Sequence, residues 1–128
     1  MILKALVVDD SLTVRGYHSQ ILQEAGFAVE QSVNGYEALE KTLLDFYHLL
    51  VIDINMPKLD GVSLLKQLRQ REEYTDTPVL VASTETGEQD IRTGLAAGAT
   101  IYLSKPIHPE ILTFLAKIFT AGSGGDCD

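Results

Sequence analysis

Cysteine occurs once in the 128 residues, as Cys127, and tryptophan does not occur at all. A single cysteine excludes a disulfide framework and any cysteine-rich metal site, so a reducing compartment is the default. Bases are scarce: 10 Lys and Arg face 18 Asp and Glu, for a formal charge of −8 and a pI near 4.7. A surface of that sign repels a phosphate backbone and argues against direct nucleic-acid binding. No apolar run approaches the roughly 18 residues of a membrane span, and no secretory leader precedes the first strand-like segment. A cytoplasmic protein is the expectation. What is present is ample for a core, since 45% of residues are apolar, and the length suits one domain.

Short apolar runs alternate with longer amphipathic stretches. Ala5-Leu6-Val7-Val8, Leu49-Leu50-Val51-Ile52 and Val79-Leu80-Val81-Ala82 are continuous apolar runs, as expected of strands covered on both faces in a parallel sheet. Ile101-Tyr102-Leu103 is a shorter run of this kind, and the more polar stretch from Ala28 to Val33 suits a strand near the sheet edge. Between them, Val14, Tyr17, His18, Ile21, Leu22 and Ala25 form one helical stripe that stops at Gly26. Leu39, Leu43 and Phe46 predict a second stripe, and Leu64, Leu65 and Leu68 a third. A weak fourth helix runs from about Gly87 to Ala97 with Ile91 and Leu95 as its large apolar residues. Ile111, Leu112, Leu115, Ile118 and Phe119 mark a fifth. The reading is an α/β fold, a doubly wound five-stranded parallel sheet of the form (βα)5, its strands joined by right-handed crossovers. Residues 1–120 form the domain, and 121–128, rich in glycine, read as a flexible tail.

Ligands of open parallel sheets bind at the carboxyl ends of the strands. Asp9 and Asp10 follow the first strand, Asp53 and then Asn55-Met56-Pro57 the third, Ser83-Thr84 the fourth, and Lys105-Pro106 the fifth. Three carboxylates against one ammonium leave a local charge of −2, which a hard divalent ion with oxygen ligands would cancel. Mg2+ suits such a site because it keeps waters and takes only one or two protein carboxylates together with phosphate oxygens. Asp53 is the candidate nucleophile for a phosphoryl group, Lys105 a compact cation for its oxygens, and the Ser83 hydroxyl a donor to another.

Val8-Asp9-Asp10-Ser11, Asp53-Ile54-Asn55-Met56-Pro57 with Asp60-Gly61, Ser83, and Lys105-Pro106 together resemble the receiver domain of two-component response regulators, most of all its single-domain, CheY-like members. The resemblance runs from about Leu3 to Phe119. It implies the flavodoxin-like strand order 2-1-3-4-5. It also implies Asp53 as phosphoacceptor, and Asp10, Asp53 and the Asn55 carbonyl as Mg2+ ligands with Asp9 helping through water. Lys105 would contact the phosphoryl group, next to a cis bond to Pro106, and Ser83 and Tyr102 would be the switch pair. The implied donor is a sensor histidine kinase or phosphotransfer protein. The implied output is a downstream target protein bound at the fourth helix, fifth strand and fifth helix, by a monomer or weak dimer. The module so implied would catalyse only its own phosphorylation and dephosphorylation and would otherwise be no enzyme. Thr84, Ile54 and Ile107 depart from the commonest residues of the pattern, though none removes a reactive group.

Taken singly these residues have plainer roles. Asp9-Asp10 reads as a helix cap and a solvated acid, Ser83-Thr84 as a cap, Asp60-Gly61 as a turn, His18 as a packed histidine, and His48 and His108 as nothing in particular. Three other functions compete with the leading one. A phosphohydrolase of the haloacid dehalogenase type needs D-x-D on the first strand and a cap domain. A flavodoxin-like cofactor site needs a phosphate-cradling loop where Asp9 and Asp10 stand. A receiver that binds without phosphorylation has no use for a complete acid set with Lys105.

Overall fold

The computed structural model describes residues 2–122. Five strands alternate with five helices: β1 (Lys4–Val8), α1 (Leu12–Glu24), β2 (Ala28–Ser32), α2 (Gly35–Leu44), β3 (Leu49–Asp53), α3 (Gly61–Arg69), β4 (Val79–Ser83), α4 (Glu88–Ala97), β5 (Ile101–Ser104) and α5 (Pro109–Phe119). A short 3₁₀ turn, Glu72–Tyr74, joins α3 to β4. All strand pairs are parallel and the order is β2-β1-β3-β4-β5. The continuous apolar runs are the three central strands. The alternating exposure along β2 is that of an edge strand.

Because side chains alternate across a strand, each run feeds two cores. Leu6, Val8, Leu50, Ile52, Val79 and Val81 face α3, which contributes Leu64, Leu65 and Leu68, with Ala38 and Ala97 from α2 and α4. Ala5, Val7, Leu49, Val51, Leu80 and Ala82 face α1 and α5, which contribute Ile21, Leu22, Leu112 and Ala116. Each of the fully buried leucines is worth about 1.5–3 kcal/mol over exposure. The doubly covered sheet therefore holds its strand ends in fixed register.

Three helical stripes differ from expectation. In α2 the buried residues are Gly35, Ala38 and Thr42, while Leu43 is 74% exposed and Phe46 lies beyond the helix end. Thr42 wins its inward place because its hydroxyl is satisfied twice, donating to the Leu39 carbonyl and accepting from Arg71. In α4 the seat is made by Gly94 and Ala97 instead of Ile91 and Leu95, since only small residues let that helix approach β5. In α5 only Leu112 and Ala116 are buried, and Ile111 and Ile118 are about half exposed. Tyr17, too, is more exposed than its stripe suggested. Of the expected tail 121–128, residues 123–128, with Cys127, lie outside the described residues.

Candidate functional site

The site is assembled by register. Val8 pairs with Ile52, and Asp53 pairs with Ala82, so the next residues along, Asp9, Asp53 and Ser83, leave neighbouring strands at one edge. On the other side of β4, Ser83 pairs with Ser104, and the Lys105 N–H donates to the Ser83 carbonyl at 3.0 Å. Asp9 and Asp53 are both only 2% exposed, Ser83 is fully buried, and Asp10 points to solvent.

Lys105 bridges the two buried acids. Its Nζ lies 3.1 Å from Asp53 Oδ2 and 3.2 Å from Asp9 Oδ2. Asp9 Oδ1 accepts the Ser11 N–H at 2.8 Å, and Ser11 in turn caps α1, its Oγ accepting from Val14. The N-cap expected of Asp9-Asp10 therefore belongs to Ser11, and Asp9 braces that turn from the strand side. Asp53 Oδ1 accepts the Asn55 N–H at 3.3 Å. Its Oδ2 is buried, with no aligned hydrogen bond despite the nearby ammonium.

These surroundings set the charge. Burial, seconded by Asp9, pushes the Asp53 carboxyl up to about 6 against the opposing pull of Lys105 and the Asn55 N–H. Burial works against the Lys105 ammonium, but Asp53 and Asp9 outweigh it and hold its pKa above the usual lysine value. Asp9, Asp10 and Asp53 each offer an oxygen within 4.8 Å of the others. An all-oxygen set that includes a buried carboxylate oxygen with no aligned hydrogen bond fits a hard divalent cation.

The loop elements resolve the plainer readings. Ser83 Oγ accepts from the Glu85 N–H at 2.9 Å, a turn within the β4–α4 loop. It does not cap α4, whose N-cap is Gly87 without a side-chain bond. Asp60, read as a turn residue, is the N-cap of α3, accepting from Ser63 at 2.8 Å. Tyr102 is half-buried, and its hydroxyl donates to the Glu85 carbonyl. The Lys105–Pro106 bond is cis, as the resemblance implied.

Two participants escaped the sequence reading. A Cβ on Gly61 would sit 2.3 Å from the Asp53 carbonyl oxygen, so only glycine lets the start of α3 close on the Asp53 backbone. The Asp-Gly pair before a helix was the available signal, but nothing in it pointed at position 53. Arg15 is buried and donates to the Asp9 carbonyl at 2.8 Å and to Gln31 Oε1 at 2.9 Å. Its place beside an apolar stripe gave no hint of that anchorage.

The carboxylate cluster and the lysine thus stand at the carboxyl edge of a doubly wound sheet, where open parallel sheets bind their ligands. Residues 5–117 match the family of the response regulator receiver domain, and the chain belongs to it. It is 34% identical to the chemotaxis protein CheY homolog of Campylobacter jejuni, over 95% of this chain and 96% of that one. It is 36% identical to the chemotaxis protein CheY1 of Helicobacter pylori, over 86% and 90%. The chemotaxis response regulator CheY4 of Vibrio cholerae superposes with a TM-score of 0.86 at 37% identity, covering 93% of this chain and 99% of that structure. The protein is a CheY-like receiver of phosphorylation-dependent two-component signalling. Among the described residues, no helix is long and apolar enough to cross a membrane.

Proposed function

We propose that Asp53 is the phosphoacceptor and that its phosphorylation switches a protein-binding face made of α4, β5 and α5. The observation that carries this is the placement of one ammonium, Lys105 Nζ, within 3.2 Å of two buried carboxylates at the ends of two other strands, β1 and β3. An Asp53 oxygen attacks the phosphorus of a phosphohistidine on a sensor kinase or phosphotransfer protein. The P–N bond breaks, its electron pair returns to the imidazole with a proton, and an acyl phosphate remains on Asp53. Lys105 then exchanges its Asp53 carboxylate contact for a phosphoryl oxygen, and the Ser83 hydroxyl donates to another.

Asp10, Asp53 and the Asn55 carbonyl would hold Mg2+, with Asp9 behind them. When bound, the ion supplies neutralisation of the crowded oxygens. Moving Ser83 toward the phosphoryl group draws on the loop whose Glu85 carbonyl receives the Tyr102 hydroxyl, so the two switch residues act on one segment. The exposed Ile111, Phe114 and Ile118 of α5 are apolar material for a downstream target protein. The setting is the cytoplasm and the acting species a monomer or weak dimer.

The test is incubation with acetyl phosphate and Mg2+ followed by intact mass. A single phosphoryl adduct is expected, and it should be missing in Asp53→Asn. An unmodified wild-type protein would instead favour a receiver that binds without phosphorylation.

A further inference from the structure

The loop that carries Lys105 is held from two directions. From β4 it is held by the Lys105 N–H on the Ser83 carbonyl. Pro106 has no N–H, so the next donor is that of Ile107, which is 2% exposed and out of reach of bulk water. That N–H donates to His18 Nε2 at 3.0 Å, a buried bond between residues 89 apart in sequence. His18 is itself 1% exposed on the inner face of α1, the helix whose first turn Asp9 braces. A leucine would fill this volume, yet the chain has an imidazole whose lone pair meets the one donor its neighbour must satisfy.

We propose that His18 is a positioning residue for phosphoryl transfer: its Nε2 pins Ile107, and thereby the Lys105 loop, to α1, so that the ammonium stays aimed at Asp9 and Asp53. The inference rests on the roles given above to Asp53 and Lys105. Accepting that bond requires Nε2 to be unprotonated. Burial, with Lys105 adding to it and Asp9 opposing, brings the imidazole down to about 4, which keeps it neutral at ordinary pH. The Lys105 loop thus answers to both neighbours of the acid cluster, β4 through its own N–H and α1 through His18.

The probe is beryllofluoride with Mg2+, a phosphoryl mimic, titrated against the full chain. His18→Leu keeps the volume and orphans the Ile107 N–H, and should weaken the apparent affinity about tenfold, the effect of one lost buried hydrogen bond. His18→Gln, which offers a carbonyl oxygen near the Nε2 position, should recover most of it. In a Lys105→Ala background, His18→Leu should change affinity less than about twofold, because the two act as a unit. An equal loss with and without Lys105, no loss at all, or no recovery by Gln would each overturn the proposal. Should His18→Leu fail to fold, imidazole ¹⁵N shifts of the wild type decide. The Nδ1–H tautomer is expected between about pH 5.5 and 8, and a protonated Nε2 overturns the assignment. A wild type that takes neither beryllofluoride nor acetyl phosphate defeats the phosphoacceptor reading and this one with it. A wild type that does, with His18→Leu behaving identically, defeats only this one.

Discussion

β3 and β5 point the same end at the same pocket, yet β3 is buried at all five positions and β5 at none of its four. The difference continues into the helices that adjoin them in the chain. After β3, α3 buries Leu64, Leu65 and Leu68 completely. Before β5, α4 buries only Gly94 and Ala97, and after it α5 leaves Phe114 61% exposed. Asp53 therefore stands on the tightly packed part of the sheet, whereas Tyr102 stands on a strand with no fully buried position, where fewer contacts oppose movement. Under the proposed function, holding a reactive group and transmitting its state make opposite demands on packing, and the two sides of the sheet would divide them.

Matched leucines on the two sides would sharpen the contrast most. Leu68→Ala empties a fully buried site and should cost about 3 kcal/mol in urea unfolding, whereas Leu95→Ala on α4 should cost less than about 0.5 kcal/mol. Comparable losses would erase the distinction. The glycines form a second pair. Gly61→Ala forces a methyl against the Asp53 carbonyl, which is backbone and cannot yield, so a loss of roughly 2 kcal/mol is expected, with slower phosphorylation by acetyl phosphate. Wild-type unfolding and phosphorylation in this variant would show that α3 does not need its close seat.

Acid–base linkage gives a smaller effect on the β3 side. The Asp53 pKa rises from an ordinary 3.8 to about 6 on folding, so the folded state binds its proton more tightly than the unfolded one. Stability should therefore fall as pH rises from about 4 to about 6 in metal-free buffer, and the part due to Asp53 should vanish in Asp53→Asn. That variant should gain on the order of 1–2 kcal/mol at pH 7. Added Mg2+ should recover some of this stability in the wild type and none in Asp10→Ala, as melting temperatures would show. A wild-type pH profile matching that of Asp53→Asn would mean that burial does not burden the Asp53 carboxyl.

The smallest change is the other glycine. A Cβ on Gly94 would meet the Tyr102 ring at 2.7 Å, but a ring can swing, and Ala gains about 1 kcal/mol in helix propensity. The net effect of Gly94→Ala on stability should stay within about 0.5 kcal/mol, while the Tyr102 ring resonances shift and its bond to Glu85 is lost. Unmoved Tyr102 resonances would show that the β5 side is as rigid as the β3 side.

Much of this was legible from the chain alone. Three unbroken apolar runs demanded strands covered on both faces, and the acids after the first and third strands and the lysine after the fifth had to share one edge, because a parallel sheet brings all its carboxyl ends together. Periodicity was a poorer guide wherever the inward residue was not large and apolar. Thr42 displaced Leu43 because its hydroxyl found two partners, and Gly94 and Ala97 displaced Leu95 because close approach required small residues. The strand order came from family resemblance and not from local pattern, since the pairing of β1 between β2 and β3 is a non-local choice. Tertiary structure alone decided that Gly61 lies on the Asp53 backbone, that Arg15 grips the Asp9 carbonyl and that His18 takes the Ile107 N–H. Each of these contacts joins segments whose spacing in sequence carries no signal, and each exists because a buried donor, acceptor or backbone had to be met by whatever the fold brought beside it.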